Sequence, residues 1–184
     1  MFTDLRGFTA FAEVSEPEET MAVLGEYHAA LGELVFAFGG TLEHFAGDGL
    51  MVFFNDPPPC PDAPARAVRM AVAMRERVEG LAAGWRSRGH DLGFGVGIAQ
   101  GYATLGRVGF EGRWDYAAIG PVTNLAARLC SMATDGQVLV SRRVRTGAEQ
   151  EFELREVGAV EVKGFARPVE VFEVIGPATE LEDT

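Results

Sequence analysis

Cysteine is scarce in this sequence: Cys60 and Cys130 are the only two among 184 residues. Two cysteines build no disulfide framework. One sits in a proline-rich loop and the other in a predicted helix, so both are expected as free thiols, in keeping with a reducing, cytoplasmic setting. Long apolar runs are missing too. No stretch approaches the ~18 residues of a membrane span, and no signal-peptide pattern is present, so no membrane segment is expected within this chain. Positive charge is the minority sign, with 16 Lys and Arg against 27 Asp and Glu and a net charge of −11. That balance argues against binding nucleic acid, because phosphates would be repelled over most of the surface. A local cluster of cations or metal ions could still hold a nucleotide.

What the chain does have is an ordinary globular composition, 47% hydrophobic and 23% charged, enough to build one core and too apolar for a disordered chain. It opens directly on a short apparent strand, which suggests a domain cut from a longer protein whose regulatory part lies elsewhere. Residues 1–176 read as the folded domain. Residues 177–184 read as an acidic, frayed tail.

Along the chain, a strand ends at Asp4 and the segment after Arg6 opens a short helix. Pro17 to about Phe38 carries Leu24, Tyr27, Leu31, Leu34 and Val35 at helical spacing and stops at Gly39-Gly40. Two strands, Thr41–Phe45 and Leu50–Phe54, flank the turn Ala46-Gly47-Asp48-Gly49. A second helix is expected from Asp62 to Arg88. Leu92–Ile98 and Tyr102–Val108 are expected to pair around Gln100-Gly101. To that point the order is β-α-β-β-α-β, so the fold class expected is α+β with a ferredoxin-like core. A helix over Val122–Met132, a short strand over Gln137–Val140, and antiparallel strands over Phe152–Val157, Val160–Val162 and Val169–Ile175 would complete it.

Asp4 at a strand end and Asp48 at a hairpin tip can reach one sheet edge in such a core. Two close carboxylates repel unless a proton or a cation lies between them, and Mg²⁺ takes one or two carboxylates together with substrate phosphates. Taken singly, each aspartate is equally readable as a cap or turn residue.

Their surroundings carry a resemblance. Phe2-Thr3-Asp4-Leu5-Arg6-Gly7-Phe8-Thr9 and Phe45-Ala46-Gly47-Asp48-Gly49 resemble the two metal motifs of class III adenylate and guanylate cyclases. Asp115 to Gly120 followed by Asn124-Leu125-Ala126-Ala127-Arg128 resembles that family's helix signature, and Val162-Lys163-Gly164 its closing strands. The resemblance implies that Asp4 and Asp48 hold two divalent ions, Mg²⁺ or Mn²⁺. It implies that the backbone from Leu5 through Arg6, Gly7 and Phe8 to Thr9 cradles the outer phosphates of ATP, with Lys163 and Arg113 as further phosphate contacts. Asn124 would orient the ribose, and Arg128 would stabilise charge at the α-phosphate. It also implies a head-to-tail homodimer, because the aspartates and the Asn124–Arg128 pair come from opposite subunits.

Two positions depart from the family pattern. His44 stands where adenylate cyclases carry a purine-reading lysine, and Ala117 stands where a polar partner is usual. Glutamate at the position of His44 would mark a guanylate cyclase. Glu43 is adjacent, but strict strand alternation points it to the other face. A histidine ring could serve either purine, donating to adenine N1 or accepting from guanine N1–H. ATP is the expected substrate; relaxed or GTP specificity and a catalytically degenerate nucleotide-binding domain are the alternatives.

Overall fold

The computed structural model describes residues 1–178. In chain order the elements are β1 Phe2–Arg6, α1 Phe8–Val14, α2 Pro17–Ala37, β2 Thr41–Ala46, β3 Gly49–Phe53, α3 Ala63–Ser87 and β4 Gly93–Ile98. Then follow β5 Thr104–Phe110, β6 Arg113–Ile119, α4 Pro121–Met132, β7 Val138–Ser141, α5 Arg142–Ala148, β8 Phe152–Val160 and β9 Val169–Pro177. Seven strands form one mixed sheet in the order β2-β3-β1-β4-β7-β9-β8, and β5 and β6 form a separate pair. The β-α-β-β-α-β core expected from the sequence is therefore present, with additional C-terminal elements.

Helices α2 and α3 cover one face of the sheet. Each starts with proline in its first turn, where the missing N–H costs nothing. Each turns its apolar stripe inward: Val23, Tyr27, Leu31 and Val35 from α2 meet Met70, Met74, Val78 and Trp85 from α3 and Leu5, Val52, Phe94 and Val96 from the sheet. The Trp85 indole N–H donates to Glu26 at 2.7 Å, so its burial leaves no polar orphan. Truncation of Trp85 to alanine would cost about 3–5 kcal/mol.

Helix α4 lies on the opposite face, with Leu125 and Leu129 packed against Leu139, Val162 and Val171. It approaches β4 closely because Gly97 has no side chain. A Cβ there would run into the backbone of Ala126 and Cys130. This contact fixes α4 across the strands that carry the candidate site.

Several expectations are corrected. The segment after Gln100-Gly101 does not pair with β4, because both edges of β4 are occupied, by β1 and by β7. Its partner is β6, a strand not anticipated, and together they form a projecting hairpin with Val108, Phe110, Trp114 and Ile119 exposed. Val160–Val162 is not a strand of its own; Val160 ends β8, which is one strand bent by two register shifts against β9. Helix α5 was not anticipated either. β9 runs to Pro177, and the Ala178 N–H donates to the Glu151 carbonyl, so the tail does not begin at residue 177. The rest of the proposed tail, 179–184, lies outside the described residues. Both cysteines are free, as expected, and both are buried.

Candidate active site

β1 lies between β3 and β4, and β3 begins at the hairpin turn that carries Asp48. This brings the turn against the middle of β1. Gly49 makes the approach possible: a Cβ there would strike the Thr3 carbonyl and touch the Asp4 carboxylate. Asp4 and Asp48 consequently face one another as neighbouring carboxyl groups. Partial burial and this like-charged neighbour push the Asp4 carboxyl up from 3.8 to about 7, against a smaller opposing pull from Arg6. Two carboxylates pressed together in this way hold a proton or a divalent ion between them. They therefore fit the metal role implied by the resemblance. Among the described residues no group of three or more His, Cys, Asp or Glu side chains is gathered to hold a metal, so any ion here would draw its other ligands from substrate and water.

The loop after Asp4 is arranged differently from the expectation in one respect. β1 continues to Arg6; the Leu5 side chain is buried in the core, and Gly7 makes the turn with φ of 80°. The first α1 bond is Phe11 N–H to Gly7 O, which leaves the N–H groups of Phe8 and Thr9 unused by the helix. The Arg6 side chain, in contrast, is turned toward α4. It reaches Asp4 at 3.4 Å and donates to the Cys130 carbonyl at 2.5 Å, over the surface left open by Gly95. Arg6 therefore ties a candidate metal ligand to the C-terminal turn of α4, while its backbone pairs with Gly93 of β4.

Asn124 and Arg128 project from one exposed face of α4, one helical turn apart. Lys163 sits in the loop between β8 and β9, anchored by the buried Val162, and Arg113 stands at the tip of the β5–β6 hairpin. None of these four side chains has a hydrogen bond or ion pair among the described residues, and within one chain none contacts the aspartates.

At the base-reading positions the structure corrects the sequence reading. β2 and β3 pair with a register shift between Leu42 and His44, which makes Glu43 a bulged residue. A bulge suspends the strict alternation of side chains. Glu43 therefore does not point away from His44. Its Oε2 lies 3.2 Å from His44 Nδ1, while its Oε1 accepts the Ala118 N–H at 3.1 Å. The Glu43 side chain is only 8% exposed and that of His44 is 48% exposed. Ala117 lies next to the bonded amide, so Glu43 joins the two positions at which the family pattern is broken. Sequence reasoning missed Glu43 because only the register shift reveals it.

Comparison with known proteins identifies the family. Residues 1–176 match the model of the adenylate and guanylate cyclase catalytic domain, and the chain belongs to that family, the class III cyclases. Adenylate cyclase 1 of Rhizobium meliloti (strain 1021) is 33% identical over 187 aligned residues, covering 100% of this chain and 28% of that protein. The chain thus spans under a third of the length of that relative. The crystal structure of the adenylyl cyclase CyaB from P. aeruginosa superposes with a TM-score of 0.92 at 36% identity, covering 98% of this chain and 94% of that one. The guanylyl cyclase Cya2 superposes nearly as well, with a TM-score of 0.89 at 31% identity, over 98% of this chain and 92% of that one. Overall similarity therefore does not separate the two purines.

Proposed function

We propose that this chain is the catalytic domain of a nucleotide cyclase that converts ATP to 3′,5′-cyclic AMP and pyrophosphate in a head-to-tail homodimer. The observation that carries this reading is the Asp4–Asp48 pair, two carboxylates held in contact at one end of the sheet with the Asp4 carboxyl pushed up to about 7. The relatives named adenylate or adenylyl cyclase are the support for ATP.

Divalent ions held by Asp4 and Asp48 would neutralise the triphosphate and acidify the ribose 3′-hydroxyl. The protein's own groups do the remainder. The unused N–H groups of Phe8 and Thr9 face the outer phosphates, with Lys163 and Arg113 supplying positive charge. Asn124 from the second chain holds the ribose so that its 3′-oxygen lies in line with the α-phosphorus. As that oxygen bonds to phosphorus, the bond from phosphorus to the bridging oxygen breaks and pyrophosphate leaves; the hydroxyl proton passes to solvent. Arg128 balances the charge that gathers on the α-phosphoryl oxygens. The exposed, unpartnered state of Asn124 and Arg128 in the single chain supports their use across a subunit boundary.

Among the described residues no helix is long and apolar enough to cross a membrane. We place the domain in the cytoplasm, where its substrate is found, and place its regulation in sequence beyond this domain. The test is cyclic nucleotide formation from ATP and from GTP, each with Mg²⁺ and with Mn²⁺. Absence of product under all four conditions would leave a nucleotide-binding domain without catalysis.

A further inference from the structure

The hydrogen-bonding state of His44 follows from the bulge at Glu43. A carboxylate only accepts hydrogen bonds, so the 3.2 Å contact with Glu43 Oε2 requires the proton of a neutral His44 ring to sit on Nδ1. The opposite tautomer would set the Nδ1 lone pair against a carboxylate oxygen, exchanging a bond for a repulsion. Neutral His44 therefore presents its other nitrogen, Nε2, as an acceptor. Protonated His44 keeps the Glu43 bond and presents Nε2–H as a donor. Nε2 has no partner among the described residues, and the half-exposed ring leaves it reachable.

We propose that Glu43 is a positioning residue that fixes which hydrogen-bonding face His44 presents to the purine edge. In the neutral state His44 accepts from a guanine-type N1–H; in the protonated state it donates to an adenine-type N1. This inference rests on the cyclase reading above, with the base entering at His44. Glu43 is not itself the reader, because both its oxygens are engaged, one by His44 and one by the Ala118 N–H. Ala117 has no polar side chain with which to override the choice.

Few other charges bear on the ring. From α2, His28 stacks on the neighbouring Phe45. From β6, Tyr116 gives its hydroxyl proton to Asp56, while Arg113 and Asp115 lie toward the far end of that strand. β3 opposes His44 with Met51 and carries no titratable side chain. Asp48 stands four residues further along at the turn. Glu43 is the only charged side chain bonded to His44 among the described residues.

The test is a competition between ATP and GTP in one reaction, run at one alkaline pH with the wild type and with Glu43→Gln. Metal loading, dimerisation and active fraction cancel in the ratio of the two catalytic efficiencies. One hydrogen bond gained or lost corresponds to about a tenfold change in this ratio, or ~1.4 kcal/mol. Glu43→Gln keeps an amide oxygen for the Ala118 N–H but turns an NH₂ toward Nδ1, which moves the ring proton to Nε2. The ratio of ATP to GTP should then rise about tenfold over the wild type. His44→Lys should do the same and sharpen the preference for ATP.

An unchanged ratio in Glu43→Gln overturns the proposal. Nitrogen NMR of the imidazoles gives a readout that does not need turnover. There are three histidines, so His44 is assigned by its loss in His44→Lys. At alkaline pH its Nε2 should be unprotonated in the wild type and protonated in Glu43→Gln; a protonated wild-type Nε2 overturns the proposal. Absence of product from either nucleotide would instead remove the cyclase reading, and the NMR result would still decide the tautomer.

Discussion

At the Asp4–Asp48 end of the sheet two like charges are held in contact, whereas one strand further out Glu43 meets His44 as an acceptor meets a donor. The first pair lacks something: burial and the Asp48 carboxyl push Asp4 up to about 7, and Arg6 offsets only part of that rise. The second pair is complete in itself, and its bond to Ala118 also secures β6. A group that must take up an ion or a proton is left in internal conflict. A group that must present a fixed hydrogen-bonding face is relieved of conflict on every side but one. The two regions should therefore respond in opposite ways to the removal of charge.

The largest expected effect is at the conflicted pair. Asp4→Asn or Asp48→Asn should lower turnover about a thousandfold or more, the scale of several kcal/mol of lost charge stabilisation, while circular dichroism shows the fold retained. Survival of activity in both variants would mean that the pair is not a metal site.

Next in size is the division of the site between chains. Asp48→Asn and Arg128→Ala chains should each be inactive alone. Mixed in equal amounts with free exchange, half the dimers would carry one intact site of two, restoring about a quarter of wild-type activity. Proven exchange without recovery would place both residues in one chain's site.

The difference between the two regions is also a difference in how far they could be read from sequence. Asp4 and Asp48 were legible because each sits on an element whose place is fixed: a strand that must lie beside the hairpin, and a turn whose glycines allow close approach. The core helices were legible from their apolar spacing for a similar reason. The pairing of β5 was not, because its exposed residues carry no inward stripe to name a partner, and the choice depended on which edges of β4 were already taken. Helix α5 buries only Val144 and Ala148, too little for a periodic signal. Glu43 was misread because alternation was assumed to continue through a strand that contains an extra residue. Arg6 was read as part of a phosphate loop, and only the position of α4 shows where its guanidinium goes.

The smallest expected effect sharpens the comparison through stability. Asp4 has a folded-state value of about 7 against an ordinary 3.8, so the folded chain binds this proton more tightly than the unfolded chain does. The stabilising contribution is complete below the unfolded value and is lost as pH rises through the folded one. Metal-free protein should therefore lose stability between about pH 4 and about pH 7 from this group and level off above. A shift of this size would nominally amount to ~4 kcal/mol. The Asp4 side chain is 39% exposed, however, and solvent screening reduces the effect to about 1 kcal/mol. For a domain of this length that is about 2–4 °C in Tm. Two comparisons isolate the term: Asp4→Asn should melt higher than the wild type at about pH 8 without divalent ions, and saturating Mn²⁺ should raise the wild type but not the variant. Glu43→Gln, which removes charge from the satisfied pair, should give no such gain. If Asp4→Asn melts lower than the wild type at alkaline pH, the carboxylates are not in conflict, and the contrast between the two regions fails.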